Sequence, residues 1–198
     1  MAARACFVSA FSVAILAGGR SSRMGFDKRF LKWDNQTFLD RAISLARVLV
    51  DDKSILLCGD VPGYNCLCDE QKDLGPLSGI RSAMSVTSLG NYILVMPVDM
   101  PLLSIEILQG LVKSQKLVVA YENFELPLLF KCDEHAYDVM RKLPKQSVRA
   151  FLDALACERI SVPTEKINSF LNINSSDECP NTLPGEMPGP IGPRGGRQ

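Results

Sequence analysis

The sequence has almost no histidine and no net charge. The 198 residues include one histidine, His135, and the 22 Lys and Arg residues balance the 22 Asp and Glu residues. No Ser-His-Asp constellation is evident, so hydrolase chemistry has no support. A net charge of zero creates no global field that would attract nucleic acid or an anionic membrane, and neither partner is expected. No apolar run is long enough to span a bilayer.

The seven cysteines form no recognisable disulfide or metal pattern. Their number is odd and several lie inside apolar runs, which is typical of a reducing compartment, so we expect a cytoplasmic location. Cys66 and Cys68 could supply half of a metal site. Their spacing is not C-x-x-C, however, and there is no second cysteine pair, so a metal–thiolate site is not expected.

The composition is that of an ordinary globular domain with a distinct segment at each end. Hydrophobic residues make up 46% of the chain and charged residues 22%. We expect one domain over residues 13–178. Residues 1–12 are predicted to be a flexible or edge-pairing leader, with a signal peptide as the alternative, although its cleavage would remove the first strand. Residues 179–198 are rich in Pro and Gly and are predicted to be a flexible tail.

Short apolar runs alternate with segments of helical periodicity. Strands are predicted at Val13–Ala17, Ile55–Cys58, Tyr92–Val98, Leu117–Ala120, Leu126–Phe130, Arg159–Val162 and Ser169–Asn172. Helices are predicted over residues 38–50, 80–86, 105–112, 134–143 and 148–155, with Asp73–Gly79 as a turn and Ser104 as an N-cap. This alternation predicts an α/β fold, a Rossmann-like three-layer sandwich with a mostly parallel sheet.

Polar clusters follow the first three predicted strands. Gly18–Lys28 follows the first strand, Gly59 and Asp60 follow the second, and Asp99 follows the third. Because ligands of open α/β sheets bind at the carboxyl ends of the strands, these clusters predict a binding site at that edge.

The first of these clusters has the composition of a polyphosphate-binding loop. Gly18 and Gly19 allow a sharp turn whose backbone N–H groups can form an anion nest. Arg20, Arg23 and Lys28 add positive charge. The pattern is neither a Walker A motif nor G-x-G-x-x-G. The alternative is a solvated loop whose charges have no ligand.

The string L-A-G-G-R-S-S-R-M-G-F-D-K, from Leu16 to Lys28, closely resembles the signature loop of nucleotidyltransferases that join a nucleoside monophosphate to an acceptor phosphate. Further segments resemble later motifs of the same family: Asp73–Ile80, Val95–Leu102, Glu125–Phe130 and Phe170–Asp177. Together they extend from Val13 to about Glu178. The late Asn-Ile-Asn and the short chain narrow the resemblance to the MobA-like molybdenum cofactor guanylyltransferases.

The resemblance implies an enzyme of the nucleotidyltransferase fold. It would transfer GMP from GTP to the terminal phosphate of molybdopterin, with Mg²⁺ as cofactor, releasing pyrophosphate and forming molybdopterin guanine dinucleotide. Other cofactor-biosynthesis proteins and apo-molybdoenzymes are further possible partners. Two alternatives stay open: a related transferase that uses CTP or another small phosphorylated acceptor, and a non-enzymatic nucleotide-binding regulator.

The resemblance also assigns roles to individual residues. The catalytic set is Arg23 and Lys28, which would hold the phosphates, and Asp99, which would bind the metal; for Asp99 a helix N-cap or turn role is the alternative. The nucleotide would contact Leu16, Ala17, Gly18, Gly19, Lys28, Asp69, Gly75, Pro76, Leu77, Gly79 and Asp99. Among these, Asp69 would bind the guanine base, with Asp73 as the alternative.

The acceptor site would lie towards the C-terminus. Asn172 and Asn174 alternate along a segment predicted to be extended, so both would face one side while Ile173 faces the core. Two amides on one face suit the pterin or its phosphate, whereas turn formation is the alternative. Arg149, near the start of the last predicted helix together with Lys145 and Ser147, could bind anionic groups of the acceptor or could belong to a solvated helix end.

Overall fold

The described part of the chain is built around a six-stranded sheet in this computed structural model, which describes residues 11–18, 27–67, 75–143 and 147–173, the side chain of Lys28 excepted. The strands are β1 (Phe11–Leu16), β2 (Lys32–Trp33), β3 (Gln36–Thr37), β4 (Ile55–Cys58), β5 (Tyr92–Pro97), β6 (Val118–Tyr121), β7 (Leu128–Lys131) and β8 (Glu158–Ile160). The α-helices are α1 (Phe38–Leu49), α2 (Pro76–Val86), α3 (Ile105–Lys113), α4 (Glu134–Lys142) and α5 (Val148–Ala154). Short 3₁₀ helices cover Lys28–Phe30, Asp52–Ser54 and Thr164–Phe170.

The sheet is mostly parallel, as predicted. Its strand order is β4-β1-β5-β7-β6-β8, and only β7 runs antiparallel to its neighbours. Leu16 pairs with Cys58 on one side and with Pro97 on the other, so β4, β1 and β5 end level with one another. Because β6 runs in the same direction as β5, the loop that follows β6 reaches the same edge of the sheet.

Helices cover both faces of the sheet, which confirms the three-layer architecture. Successive β1 residues point to opposite faces: Val13 and Ile15 pack in the core beneath α1 and α3, whereas Ala14 and Leu16 pack in the core beneath α2, α4 and α5. Strands buried on both faces read as continuous apolar runs, which is why β1, β4 and β5 were predictable.

Several helices begin at side chains that satisfy the first backbone N–H groups. Thr37 accepts from the Asp40 N–H of α1 at 3.0 Å and donates to its carboxylate at 2.7 Å. Asp133 and Ser147 accept equivalent bonds at the starts of α4 and α5. Each such cap stabilises the protein by about 1 kcal/mol. Ser104 occupies the N-cap of α3 as predicted, without a capping hydrogen bond from its side chain.

At two places the structure differs locally from the sequence predictions. The hairpin of β2 and β3 was not predicted, because its turn residues Asp34 and Asn35, at φ 50° and 61°, lack the glycine that usually marks such a turn. Asp73–Gly79 was predicted as a turn, but α2 begins at Pro76, whose fixed φ suits the first helical position.

The strand predicted at Ser169–Asn172 is wrong. Ser169 and Phe170 end the 3₁₀ helix Thr164–Phe170. The buried apolar residues Phe170 and Ile173 are three positions apart, with the exposed Leu171 and Asn172 between them, and this spacing does not match the two-residue alternation of a strand.

The predicted tail and the first ten residues of the predicted leader lie outside the described residues. β1 starts at Phe11, two residues before the predicted strand. None of the helices in the described ranges combines the length and the hydrophobicity needed to cross a membrane.

Candidate active site

The segments that leave β1, β4 and β5 lie side by side at one edge of the sheet. The Ala17 N–H donates to the Cys58 carbonyl at 2.8 Å, and the Val98 N–H donates to the Leu16 carbonyl at 3.1 Å. The residues at which the predicted clusters begin, Gly18, Gly59 and Asp99, therefore follow neighbouring strand ends. This edge, where parallel strands end, is the place where open α/β sheets bind ligands.

Gly59 lies against the start of the predicted phosphate loop. A Cβ atom on Gly59 would be 2.6 Å from the Gly18 nitrogen and 2.8 Å from its Cα, and Gly59 has a φ of +128°. Both the contact and the conformation require glycine. Gly59 thus allows the chain after β4 to approach the chain after β1.

The first turn of α2 lies against the same two strands. Pro76 is at the first helical position, and Leu77 and Gly79 are buried. A Cβ atom on Gly79 would be 2.7 Å from Leu16 Cδ2 and 3.1 Å from Cys58 Cβ. Because Gly79 has no side chain, the first turn of α2 can pack closely against these strands. The helix N-terminus, with its N–H groups and positive dipole end, therefore lies towards the edge where an anionic ligand would bind.

The predicted nucleotide-binding residues fall into two groups by exposure. Gly18, Gly75 and Pro76 are exposed at the edge, so they are available to a ligand. Leu16, Ala17 and Leu77 are buried, so their side chains hold the scaffold and only their backbone groups could contact a nucleotide.

Arg29 was not predicted to be a site residue, but its side chain connects three segments of this edge. Its Nη1 donates to the carbonyls of Ala17, at 3.1 Å, and of Asp60. Its Nε donates to both carboxylate oxygens of Asp27, at 2.7 and 2.8 Å. The signal in the sequence was Asp27, the one acidic residue of the otherwise cationic loop Gly18–Lys28, two residues before Arg29.

Asp99 lies in the turn after β5, beside a buried Val98. The α3 N-cap is Ser104, so the alternative role of Asp99 as a helix cap is excluded, whereas a turn role is consistent with its position. Within the described ranges no group of three or more His, Cys, Asp and Glu side chains could hold a metal ion. A single carboxylate is a donor set that fits Mg²⁺ bound mainly by phosphates and water.

The chain beyond the last 3₁₀ helix is attached directly to Asp99. The Ile173 N–H donates to the Asp99 carbonyl at 2.9 Å, and the Ile173 side chain is fully buried, as predicted. Asn172 is exposed. The structure therefore places the predicted acceptor residue Asn172 next to the predicted metal ligand in the fold.

Aromatic packing supports this C-terminal segment. The ring of Phe170 stacks on that of Phe124, with centroids 4.0 Å apart, and meets Tyr121 edge-on at 5.2 Å. Phe124 lies in the loop after β6, so the stack joins that loop to the segment that holds Asn172. Neither phenylalanine was predicted to support the site, because their contact joins distant parts of the chain.

Arg149 is exposed at the start of α5, with its Nε 4.0 Å from the Glu125 carboxylate. Glu125 lies in the loop after β6, so Arg149 is connected to the predicted edge of the sheet. The Ser147 side chain caps α5, which favours the structural alternative for that residue.

Four predicted site residues, Gly19, Arg23, Asp69 and Asn174, lie outside the described residues. So do Asp73, the alternative to Asp69, and Lys145, which was predicted beside Arg149. For Lys28 the structure describes the backbone, in the 3₁₀ helix Lys28–Phe30.

Two described thiols are poorly suited to act as nucleophiles or metal ligands. Burial raises the pKa of Cys132 and of Cys157 above the usual range of a thiol. Both groups therefore stay protonated near neutral pH, and the reactive form is the thiolate.

Comparison with known proteins identifies relatives over most of the chain. A family model described as the MobA-like NTP transferase domain matches residues 13–160. A molybdenum cofactor guanylyltransferase of Xanthomonas euvesicatoria pv. vesicatoria is 34% identical over 170 residues, covering 83% of this chain and 89% of the relative. A probable molybdenum cofactor guanylyltransferase of Clostridium perfringens (strain 13 / Type A) is 30% identical over 190 residues, covering 84% and 93%.

Solved structures share the fold. Molybdopterin-guanine dinucleotide biosynthesis protein A of Archaeoglobus fulgidus superposes with a TM-score of 0.65 at 21% identity, covering 85% of this chain and 94% of that one. The bifunctional IspDF of Campylobacter jejuni has a TM-score of 0.64 at 14% identity, covering 86% of this chain and 53% of that one.

Proposed function

This chain belongs to the MobA-like NTP transferase family, and we propose that it transfers GMP from GTP to the terminal phosphate of molybdopterin, forming molybdopterin guanine dinucleotide. The observation that carries the proposal is the 34% identity, over 83% of the chain, to a relative named molybdenum cofactor guanylyltransferase. The names of the relatives favour guanylyl transfer over the alternative with CTP. Membership of a transferase family likewise favours an enzyme over a non-catalytic regulator.

In the proposed reaction, an oxygen of the acceptor's terminal phosphate attacks the α-phosphorus of GTP. A bond forms between that oxygen and the α-phosphorus, and the bond from the α-phosphorus to the bridging oxygen of the leaving group breaks, so that pyrophosphate departs. Both substrates are polyanions, and the protein must therefore offset charge and hold the two reacting groups in line.

The nucleotide side of the site consists of the ends of β1 and β4 and the first turn of α2. The exposed backbone at Gly18 and Gly75 would contact the nucleotide, and the N-terminus of α2 would favour its negative charge. Lys28 and Arg23 are proposed to bind the phosphates, and Asp69 the guanine base, on the basis of the sequence motifs alone.

Asp99 would hold Mg²⁺ through its carboxylate. When bound, the ion neutralises charge on the phosphates that meet in the reaction. The turn after β5 suits this role, because it follows a buried strand that ends level with β1 and is joined to the C-terminal segment through the Ile173 N–H.

The acceptor side of the site consists of the loop after β6 and the segment Phe170–Ile173. Asn172, together with Asn174, is proposed to bind the pterin or its phosphate. Arg149 would contribute positive charge from the start of α5. The product would pass to apo-molybdoenzymes or other cofactor-biosynthesis proteins, and we infer a cytoplasmic location from the cysteine usage.

The test is a turnover assay with the purified full chain, Mg²⁺, labelled GTP and molybdopterin. We expect pyrophosphate and the guanine dinucleotide in equal amounts, and less product when CTP, ATP or UTP replaces GTP. Turnover with CTP in preference to GTP would reassign the base. If none of the four nucleotides yields a dinucleotide, the proposed function is wrong.

A further inference from the structure

We propose that Arg29 is a positioning residue for the nucleotide, which it serves by fixing the ends of β1 and β4 relative to each other without touching the phosphates. The inference rests on the proposed function only in taking the ends of these two strands as the nucleotide side of the site.

The guanidinium of Arg29 bridges the two strand ends through one nitrogen. Its Nη1 donates both to the Ala17 carbonyl, at 3.1 Å, and to the Asp60 carbonyl. Ala17 directly follows β1, and Asp60 is the second residue after β4. Both acceptors are backbone atoms. The contact therefore constrains the backbone of the two segments that follow β1 and β4, and not only their side chains.

The charge of Arg29 is already engaged within the protein. Its Nε donates to both oxygens of the Asp27 carboxylate, at 2.7 and 2.8 Å, and its Nη2 donates to one of them. The Arg29 backbone N–H also donates to Asp27, at 3.1 Å. A planar guanidinium that pairs bidentately with a carboxylate is held in one orientation. Most of its N–H donors are thus used before any ligand arrives, which argues against a direct phosphate contact.

The segments that follow β1 and β4 need such a connection, because glycines occupy the point where these two segments approach each other. Beyond the bond from Ala17 to Cys58, Gly18 and Gly59 face each other with backbone atoms in close contact. Glycines provide no side chains that could interlock, and they leave the backbone free to move. Arg29 supplies the missing constraint from a third segment.

The chain offers a matched control for this ion pair. Arg47 makes the same type of contact with Asp52, from Nε at 2.8 Å and from Nη2 at 3.1 Å, but on the far end of α1. The Arg47 and Asp52 side chains are 58% and 70% exposed, against 16% and 28% for Arg29 and Asp27. Arg47→Ala removes an ion pair of the same type without affecting the chain that follows β1 or β4.

The experiment measures the Kd of the full chain for GTP and for GMP by calorimetry. We expect Arg29→Ala to raise both Kd values by the same factor, about tenfold, because a displaced strand end misplaces the whole nucleotide. Arg29→Lys should recover only part of the loss, since an ammonium cannot reach all the acceptors of the planar fork. Arg47→Ala should leave both Kd values unchanged. If Lys28 binds phosphates, Lys28→Ala should weaken the binding of GTP more than the binding of GMP.

Three results would overturn the proposal. They are unchanged affinity in folded Arg29→Ala, full recovery in Arg29→Lys, and a larger loss for GTP than for GMP, which would make Arg29 a phosphate contact. If Arg29→Ala does not fold, as judged by thermal unfolding, Arg29→Lys decides alone. Because the readout is binding, a wild-type protein that binds GTP but makes no dinucleotide would disprove the proposed function and leave this inference standing.

Discussion

The two sides of the candidate site are held in place by different means. On the nucleotide side, β1, β4 and α2 meet through glycines that lie against neighbouring atoms, Gly59 against Gly18 and Gly79 against Leu16, and the Arg29 side chain bonds to backbone carbonyls. On the acceptor side, the loop after β6 and the segment Phe170–Ile173 are joined by aromatic side chains. The nucleotide side therefore has no room for a side chain at Gly59 or Gly79, whereas side-chain substitutions should be able to retune the acceptor side.

Asp99 joins the two sides, and its substitution should have the largest effect on turnover. Asp99→Asn keeps the size of the side chain and removes the charge that would bind Mg²⁺. We expect kcat to fall at least about 10²-fold, comparable to the loss of one strong transition-state contact, while the melting temperature stays unchanged. Asp52→Asn, at an exposed carboxylate in the 3₁₀ helix Asp52–Ser54, serves as the control. Near-normal turnover of Asp99→Asn at saturating Mg²⁺ would remove Asp99 from the mechanism.

Gly59→Ala tests whether the nucleotide side is as crowded as its contacts indicate. The added methyl group would meet the Gly18 backbone at 2.6 Å, in a conformation that side chains rarely adopt. We expect a loss of about 2 kcal/mol in the free energy of unfolding and about tenfold weaker GTP binding.

Gly63→Ala is the matched control for this substitution. Gly63 also has a positive φ, of +81°, but a Cβ atom there would have nothing within 4 Å. Strain without a clash should cost about 1 kcal/mol and leave GTP binding unchanged. Equal effects of the two substitutions would show that the approach of Gly59 to Gly18 has no bearing on the nucleotide.

The same contrast explains which features could be predicted from the sequence. β1, β4 and β5 were predictable because each is a continuous apolar run that ends at glycine or aspartate, so the information is local. The level ends of these strands at one edge followed from the rules for parallel sheets, and so did the proximity of the residues that directly follow them.

Contacts between distant segments were not predictable. The bond from Arg29 to the Asp60 carbonyl spans 31 residues, and no local pattern encodes it. The stack of Phe124 on Phe170 likewise forms only when the loop after β6 meets the end of the last 3₁₀ helix. The segment Ser169–Asn172 was wrongly predicted as a strand, because its first two residues end a 3₁₀ helix that tertiary packing selects.

Phe170→Leu should change the acceptor side alone. The substitution removes the stack on Phe124 and the edge contact with Tyr121, which together contribute about 1 kcal/mol beyond burial. Because Phe170 positions the segment that holds Asn172, we expect the KM for molybdopterin to rise about fivefold and the KM for GTP to stay constant.

Phe130→Leu is the control for Phe170→Leu. Phe130 packs edge-on against Phe151 at 5.4 Å, fully buried beneath the opposite face of the sheet. This variant should lose stability while both KM values stay constant. A parallel rise in both KM values of Phe170→Leu would show that the two sides of the site are not independent.

Arg149→Ala should have the smallest effect, because the Arg149 side chain is 77% exposed and its Nε lies 4.0 Å from Glu125. An exposed charge contributes little to binding and is screened by salt. If Arg149 binds the acceptor, its removal should raise the KM for molybdopterin about threefold at low ionic strength, with a smaller effect at high ionic strength. Arg141→Ala, at an exposed arginine paired with Asp138 on α4, should change neither value. Identical KM values for wild type and Arg149→Ala at low ionic strength would assign Arg149 to a solvated helix end.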